Sequence, residues 1–69
     1  MKYTLYVGED CHDCDHVEKA LHKRQDIEVI NVDTDQKGQP PSPIFIRPAL
    51  FEGQNLKAYG MDILDILKD

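Results

Sequence analysis

Cys11 and Cys14 are the residues of this chain whose type and spacing can do covalent chemistry; they are its only cysteines, and His12 and Asp13 separate them. Thiolate rather than thiol is the nucleophile of disulfide exchange, and a free cysteine, with a pKa of about 8.5, is only slightly ionised at neutral pH. A dithiol at this spacing can close on itself when oxidised and reopen when reduced. The same sulfurs are soft metal ligands, and with a histidine they would make a zinc- or copper-type donor set, although His12 points away from the Cys14 face. Two cysteines are half of a four-cysteine zinc site, so a closed metal or iron–sulfur site would draw ligands from a second chain. A purely structural bridge is the third reading, and lone bridges are rare in reducing compartments.

Redox chemistry requires the pair to sit between a strand and a helix. Residues 3–7, Tyr-Thr-Leu-Tyr-Val, alternate and are rich in β-formers, which predicts a strand ended by Gly8. The period then changes. Cys14, Val17, Ala20 and Leu21 recur at spacings of three and four, predicting an amphipathic helix over 12–24 with Asp10 as its cap and His22-Lys23-Arg24 at its negative end. Cys11 then begins the helix, where unpaired backbone N–H groups favour its anion, and becomes the expected nucleophile. Cys14, one turn in on the core-facing stripe, becomes the expected resolving thiol. His12 adds positive charge when protonated, and the acidic collar of Glu9, Asp10, Asp13 and Asp15 opposes it. The other histidines read as solvent-facing helix residues.

Residues 27–32, Ile-Glu-Val-Ile-Asn-Val, predict a second strand, buried on both faces and parallel to the first, completing a right-handed β-α-β unit. Residues 33–43 carry three prolines, one glycine and no periodicity, which predicts a loop. Ile44-Phe45-Ile46 leads to Arg47-Pro48, after which Ala49-Leu50-Phe51 and residues 55–59 flank the turn Glu52-Gly53-Gln54 as a hairpin. Ile63, Leu64 and Leu67 share one face of a short closing helix running to Asp69. Tyr3, Tyr6, Phe45, Phe51 and Tyr59 are expected to pack on the sheet, Tyr6 near the groove beside Gly8.

The 69 residues make one domain, at 1–69, whose single core supplies only about 3–5 kcal/mol of net stability. Thirteen acidic against eight basic side chains, a net charge of -5, set the surface against nucleic-acid phosphates and anionic lipid. No stretch has the apolar length of a signal peptide or membrane span, so the expected setting is the cytoplasm, with neither nucleic acid nor membrane as partner.

A strand, a C-x-x-C pair opening a helix, and a proline ahead of a hairpin and a closing helix together resemble the thioredoxin fold, and the brevity resembles glutaredoxin. The resemblance covers nearly the whole chain. It rests on Leu5-Tyr6-Val7 ahead of Cys11-His12-Asp13-Cys14, on Val32-Asp33-x-Asp35, and on Pro48 before Ala49-Leu50-Phe51-Glu52-Gly53. It implies a thioredoxin-like β-α-β-β-α order, a four-stranded mixed sheet whose middle helix is absent or reduced, with one sheet face partly bare, and a cis Pro48 lying against the dithiol. Gly60-Met61-Asp62 falls where glutaredoxins hold one carboxylate of glutathione. Two departures stand out: Ile46-Arg47-Pro48 replaces the usual Thr-Val-Pro, and Glu9 and Asp10 replace the usual basic residue before the first cysteine. Arg47-Pro48 is similar to the Arg-Pro segment of the arsenate reductase branch, and Arg47 is expected to bring positive charge to the dithiol or to bind a substrate carboxylate.

The resemblance therefore implies a thiol–disulfide oxidoreductase. Cys11 is the nucleophile and Cys14 resolves. Pro48 is the cis proline, and His12, Arg47, Gly60 and Asp62 bind substrate. The redox-active Cys11–Cys14 disulfide serves in place of a bound cofactor or metal, glutathione is the candidate electron donor, and partners are disulfide-containing proteins or low-molecular-weight thiols. A metal-binding protein using the same cysteines and a thioredoxin-fold adaptor with vestigial redox activity are the alternatives. Ile44, Phe45 and Ile46 either fold back over the sheet or associate with a second copy, giving a monomer or weak homodimer.

Overall fold

Tyr3–Val7 forms the central strand β1, and its alternation sends Leu5 and Val7 to one face and Tyr6 to the other. The computed structural model describes residues 2–35 and 38–67, so the loop expectation at Gln36 and Lys37 and the helix expectation at Lys68 and Asp69 lie outside the described residues. Helix α1 spans His12–Leu21, strands β2, β3 and β4 span Ile27–Asn31, Ala49–Glu52 and Asn55–Tyr59, and helix α2 spans Asp62–Leu67. The sheet order is β2-β1-β3-β4, with β1 parallel to β2 and antiparallel to β3, and β3 antiparallel to β4. A four-stranded mixed sheet with two helices is thus the architecture.

Both helices lie on one sheet face. Cys14, Val17 and Leu21 of α1 and Ile63 and Leu67 of α2 pack with Leu5, Val7 and Leu50. Arg24 ties the helix ends together: its Nε and Nη2 donate to Asp26 at 3.0 and 2.8 Å, and its Nη1 donates to the Leu67 carbonyl at 2.8 Å. The other face carries Tyr6, Ala49 and Phe51, and it is not bare. The chain between β2 and β3 crosses it, bringing Val32 and Ile44 against those three residues together with Ile30 and Tyr59. Buried Gly38 belongs to this cover, since a Cβ there would overlap Ile30. The described part of 33–43 contains no helix, so among the described residues non-helical chain does this covering.

Helix α1 stops at Leu21, with His22 as its C-cap, rather than running to residue 24. The cap at its N-terminus is Cys11, not Asp10, which adopts φ 50 outside the helix. Strand β2 ends at Asn31 and is not buried on both faces; it is an edge strand in which Glu28 is exposed and Val29 is 48% exposed. Phe45 does not pack on the sheet but stands 88% exposed, while its neighbour Ile44 turns inward. The hairpin β3–β4 closes through Gly53 and Gln54, and Gly53 at φ 61 takes the left-handed conformation that so short a connection demands.

Candidate functional site

The end of β1 delivers the chain to the site. After Val7, residues Gly8–Asp10 turn, and Cys11 enters α1 at φ -122, ψ 103, the extended conformation usual for a helix cap. Its Sγ accepts the Cys14 N–H at 3.1 Å, a bond that a cap's side-chain oxygen ordinarily provides. Cys11 and Cys14 are joined as a disulfide, with their Cα atoms 5.2 Å apart. The two sulfurs differ in access: Cys11 is half-buried at the surface, and Cys14 is 1% exposed inside the helix-side core.

The segment before β3 closes the other side. The Arg47–Pro48 peptide bond is cis, Pro48 is buried, and the Arg47 carbonyl oxygen lies 3.8 Å from Cys11 Sγ. Gly60, at φ 58, donates its N–H to the Pro48 carbonyl at 2.8 Å, anchoring the start of α2 to the same segment. Asp62 is the exposed first residue of α2. His12 opens α1 and lines a shallow pocket of about 220 Å³ with Asp10, Cys11 and Asp15. A larger concavity of about 480 Å³ follows the outer face of α1 along Asp15, Glu18, Lys19 and His22 and contains neither sulfur. Burial there, then repulsion from Asp15, pushes the Glu18 carboxyl up. The smaller pocket is where chemistry at sulfur can occur. Among the described residues no three His, Cys, Asp or Glu side chains converge as a metal site.

Arg47 reaches the sulfur through its carbonyl oxygen, and its Nη1 donates to Asp33 Oδ2 at 2.7 Å. Asp33 also accepts the Glu9 N–H at 2.9 Å, so one carboxylate holds both the turn before Cys11 and the side chain before Pro48. Asp33 is itself fixed by its own N–H donating to Asn31 Oδ1 at 2.9 Å, a local turn at the end of β2. No motif in the sequence marks Asp33, or Gly8 beneath the guanidinium, as a site residue; the signal for Asp33 is the Asn31-Val32-Asp33 string, where an asparagine two residues ahead of an acid can set its direction.

The Glu9 N–H first, and Arg47 next, hold the Asp33 carboxyl below its ordinary range. A carboxyl whose folded pKa is depressed contributes stability above the unfolded value of about 3.9, and that contribution is lost as pH falls through the folded value. The stability difference between the protein and Asp33→Asn should therefore hold steady at neutral pH and shrink below about pH 4. Urea denaturation across that range measures it, and a pH-independent difference would mean that the carboxylate charge contributes nothing.

Among the described residues, no helix is long and apolar enough to cross a membrane. No protein-family model matches the chain, and neither a curated protein nor a solved structure matches it.

Proposed function

We propose that the protein is a glutaredoxin-like thiol–disulfide oxidoreductase on a minimal thioredoxin-like fold, with Cys11–Cys14 as its redox couple. The observation that carries this reading is the N-cap position of Cys11. Its sulfur receives a helix N-terminal N–H and is joined to a Cys14 that solvent hardly reaches. The buried Pro48 segment, whose Arg47 carbonyl lies 3.8 Å from Cys11 Sγ, and the strand order β2-β1-β3-β4 support it further.

In the reduced protein the Cys14 N–H and the positive end of α1 favour the Cys11 thiolate over the thiol. That thiolate attacks one sulfur of a substrate disulfide. The substrate S–S bond breaks, one substrate thiolate leaves and takes up a proton from solvent, and Cys11 remains in a mixed disulfide. Cys14, losing its proton, attacks Cys11 Sγ, breaks the mixed bond and releases the second substrate thiol. Two electrons have then passed from the dithiol to the substrate, and the protein carries the Cys11–Cys14 disulfide. Two equivalents of a thiol such as glutathione, oxidised to their own disulfide, return it to the dithiol. His12, in the pocket with Cys11, Gly60, bonded to the Pro48 carbonyl, and Asp62, two residues further on, bind the substrate, which is a disulfide-containing protein or a low-molecular-weight disulfide.

Titration of the purified protein in glutathione redox buffers, with mass spectrometry of the trapped species, tests the reading. The expected result is a reversible two-electron Cys11–Cys14 couple and a transient adduct on Cys11. Failure to form the disulfide reversibly, or thiols already occupied by metal, would overturn it.

A further inference from the structure

Beside the dithiol, and outside the exchange steps, lies a compact arrangement of opposite charges. Asp33 Oδ2 accepts from the Glu9 N–H and from Arg47 Nη1. Gly8 is the floor under the guanidinium: a Cβ there would overlap Arg47 Nη1 and come within 2.8 Å of Cδ and 2.9 Å of Cζ. The arginine side chain therefore lies against the backbone three residues before Cys11, while its own carbonyl stands 3.8 Å from Cys11 Sγ. We infer that Asp33 is a positioning residue for the Cys11–Cys14 couple: packing on Gly8 keeps the Arg47 guanidinium beside the turn, and Asp33 places an opposite charge against it, so that the pair sets the charge that Cys11 meets when reduced. This rests on the dithiol reading given above.

While paired, the two charges largely cancel at Cys11. Removing one leaves the other uncancelled. A bare guanidinium next to the turn favours the Cys11 thiolate, and a bare carboxylate disfavours it. Asp33→Asn keeps an oxygen able to accept the Glu9 N–H but gives up its negative charge, so it should raise the thiolate fraction. Arg47→Gln should lower it. A purely structural role would behave differently, because both substitutions break the same Asp33–Arg47 bond and would disturb Cys11 in the same direction. The other titratable groups around Cys11, namely Glu9, Asp10, His12, Asp13 and Asp15, are unchanged in every variant.

The experiment is the pH dependence of alkylation of Cys11 by iodoacetamide in the fully reduced protein, resolved from Cys14 by mass spectrometry. At a pH below the thiol pKa, Asp33→Asn should increase the Cys11 rate about threefold and Arg47→Gln should decrease it about threefold, with the double variant returning near the parent. Gly8→Ala is an independent probe that alters no charge: its methyl group displaces the guanidinium, and its effect on the rate should vanish when Arg47 is already Gln. If Asp33→Asn does not fold, the Gly8→Ala and Arg47→Gln pair decides the matter. Shifts of the same sign in both single variants, no shift, or a Gly8→Ala effect that persists without Arg47 would overturn the inference. Alkylation does not require turnover, so the two ideas fail separately. Disulfide exchange without the opposed shifts overturns only the role of Asp33, and opposed shifts without a reversible couple overturn only the oxidoreductase reading.

Discussion

Cys11→Ser should abolish disulfide exchange and leave the fold in place. A serine hydroxyl is essentially un-ionised at neutral pH and cannot form the mixed disulfide on which the proposed cycle depends, so the rate should drop to that of the uncatalysed thiol reaction. The fold should survive because serine is itself a preferred cap: its Oγ can accept the Cys14 N–H that Sγ now accepts at 3.1 Å. The comparison must be made with the reduced parent, since closing the short Cys11–Cys14 loop contributes about 2 kcal/mol by chain entropy alone. Against that reference, urea denaturation of Cys11→Ser should agree within about 1 kcal/mol. Cys14→Ser has a different signature. It retains the attacking sulfur and loses the resolving one, so it should accumulate the mixed disulfide on Cys11, visible by mass spectrometry as one substrate equivalent. If Cys11→Ser kept the parent's turnover, or if the adduct formed on Cys14 instead, the assignment of nucleophile and resolving thiol would be wrong.

The parts of this molecule that were legible in the sequence are those governed by neighbours along the chain. Alternation in residues 3–7, the three-and-four spacing of Cys14, Val17 and Leu21, and the glycine at position 53 each specify a local conformation, and β1, α1 and the hairpin appear where those signals lie. Properties that depend on sheet order were not legible. The apolar run in β2 reads as an internal strand, but β2 has β1 on one side only, and its Val29 is left half-exposed. An aromatic side chain also does not reveal its own direction: Ile44 and Phe45 are adjacent, and only Ile44 turns to the sheet. At the site, position and chemistry came apart in a similar way. The motif Cys11-His12-Asp13-Cys14 announces the sulfurs, but whether Asp10 or Cys11 caps the helix depends on a backbone turn at φ 50 that spacing does not determine. Arg47 is noticeable because it precedes Pro48; its partner Asp33 is 14 residues away, and only the crossing of the chain over the sheet brings the two together.

That crossing is the basis of the second large effect, the loss of the fold in Phe51→Ala. Phe51 is fully buried in β3, meets Tyr6 edge to face with ring centroids 5.3 Å apart, and belongs to a cluster against which Val32 and Ile44 pack. Truncating a buried phenylalanine costs about 3–5 kcal/mol through lost burial and the cavity left behind. A chain of 69 residues has about 3–5 kcal/mol in total, so the alanine variant should be largely unfolded at 25 °C. Phe51→Leu, which keeps most of the volume, should cost about 1–2 kcal/mol and remain folded. Phe45→Ala, at a side chain that is 88% exposed, should change stability by less than about 0.5 kcal/mol. Circular dichroism with urea denaturation of the three variants gives the ordering directly. The folded leucine variant carries the argument to function. The cover over Phe51 is continuous in the chain with Arg47 and Pro48, so loosening it should let the Arg47 carbonyl drift from Cys11 and slow exchange more than the stability loss alone explains. A Phe51→Ala protein that unfolded cooperatively within about 1 kcal/mol of the parent would mean that the segment lies over the sheet without packing on it, and the coupling between the covered face and the dithiol would go with it.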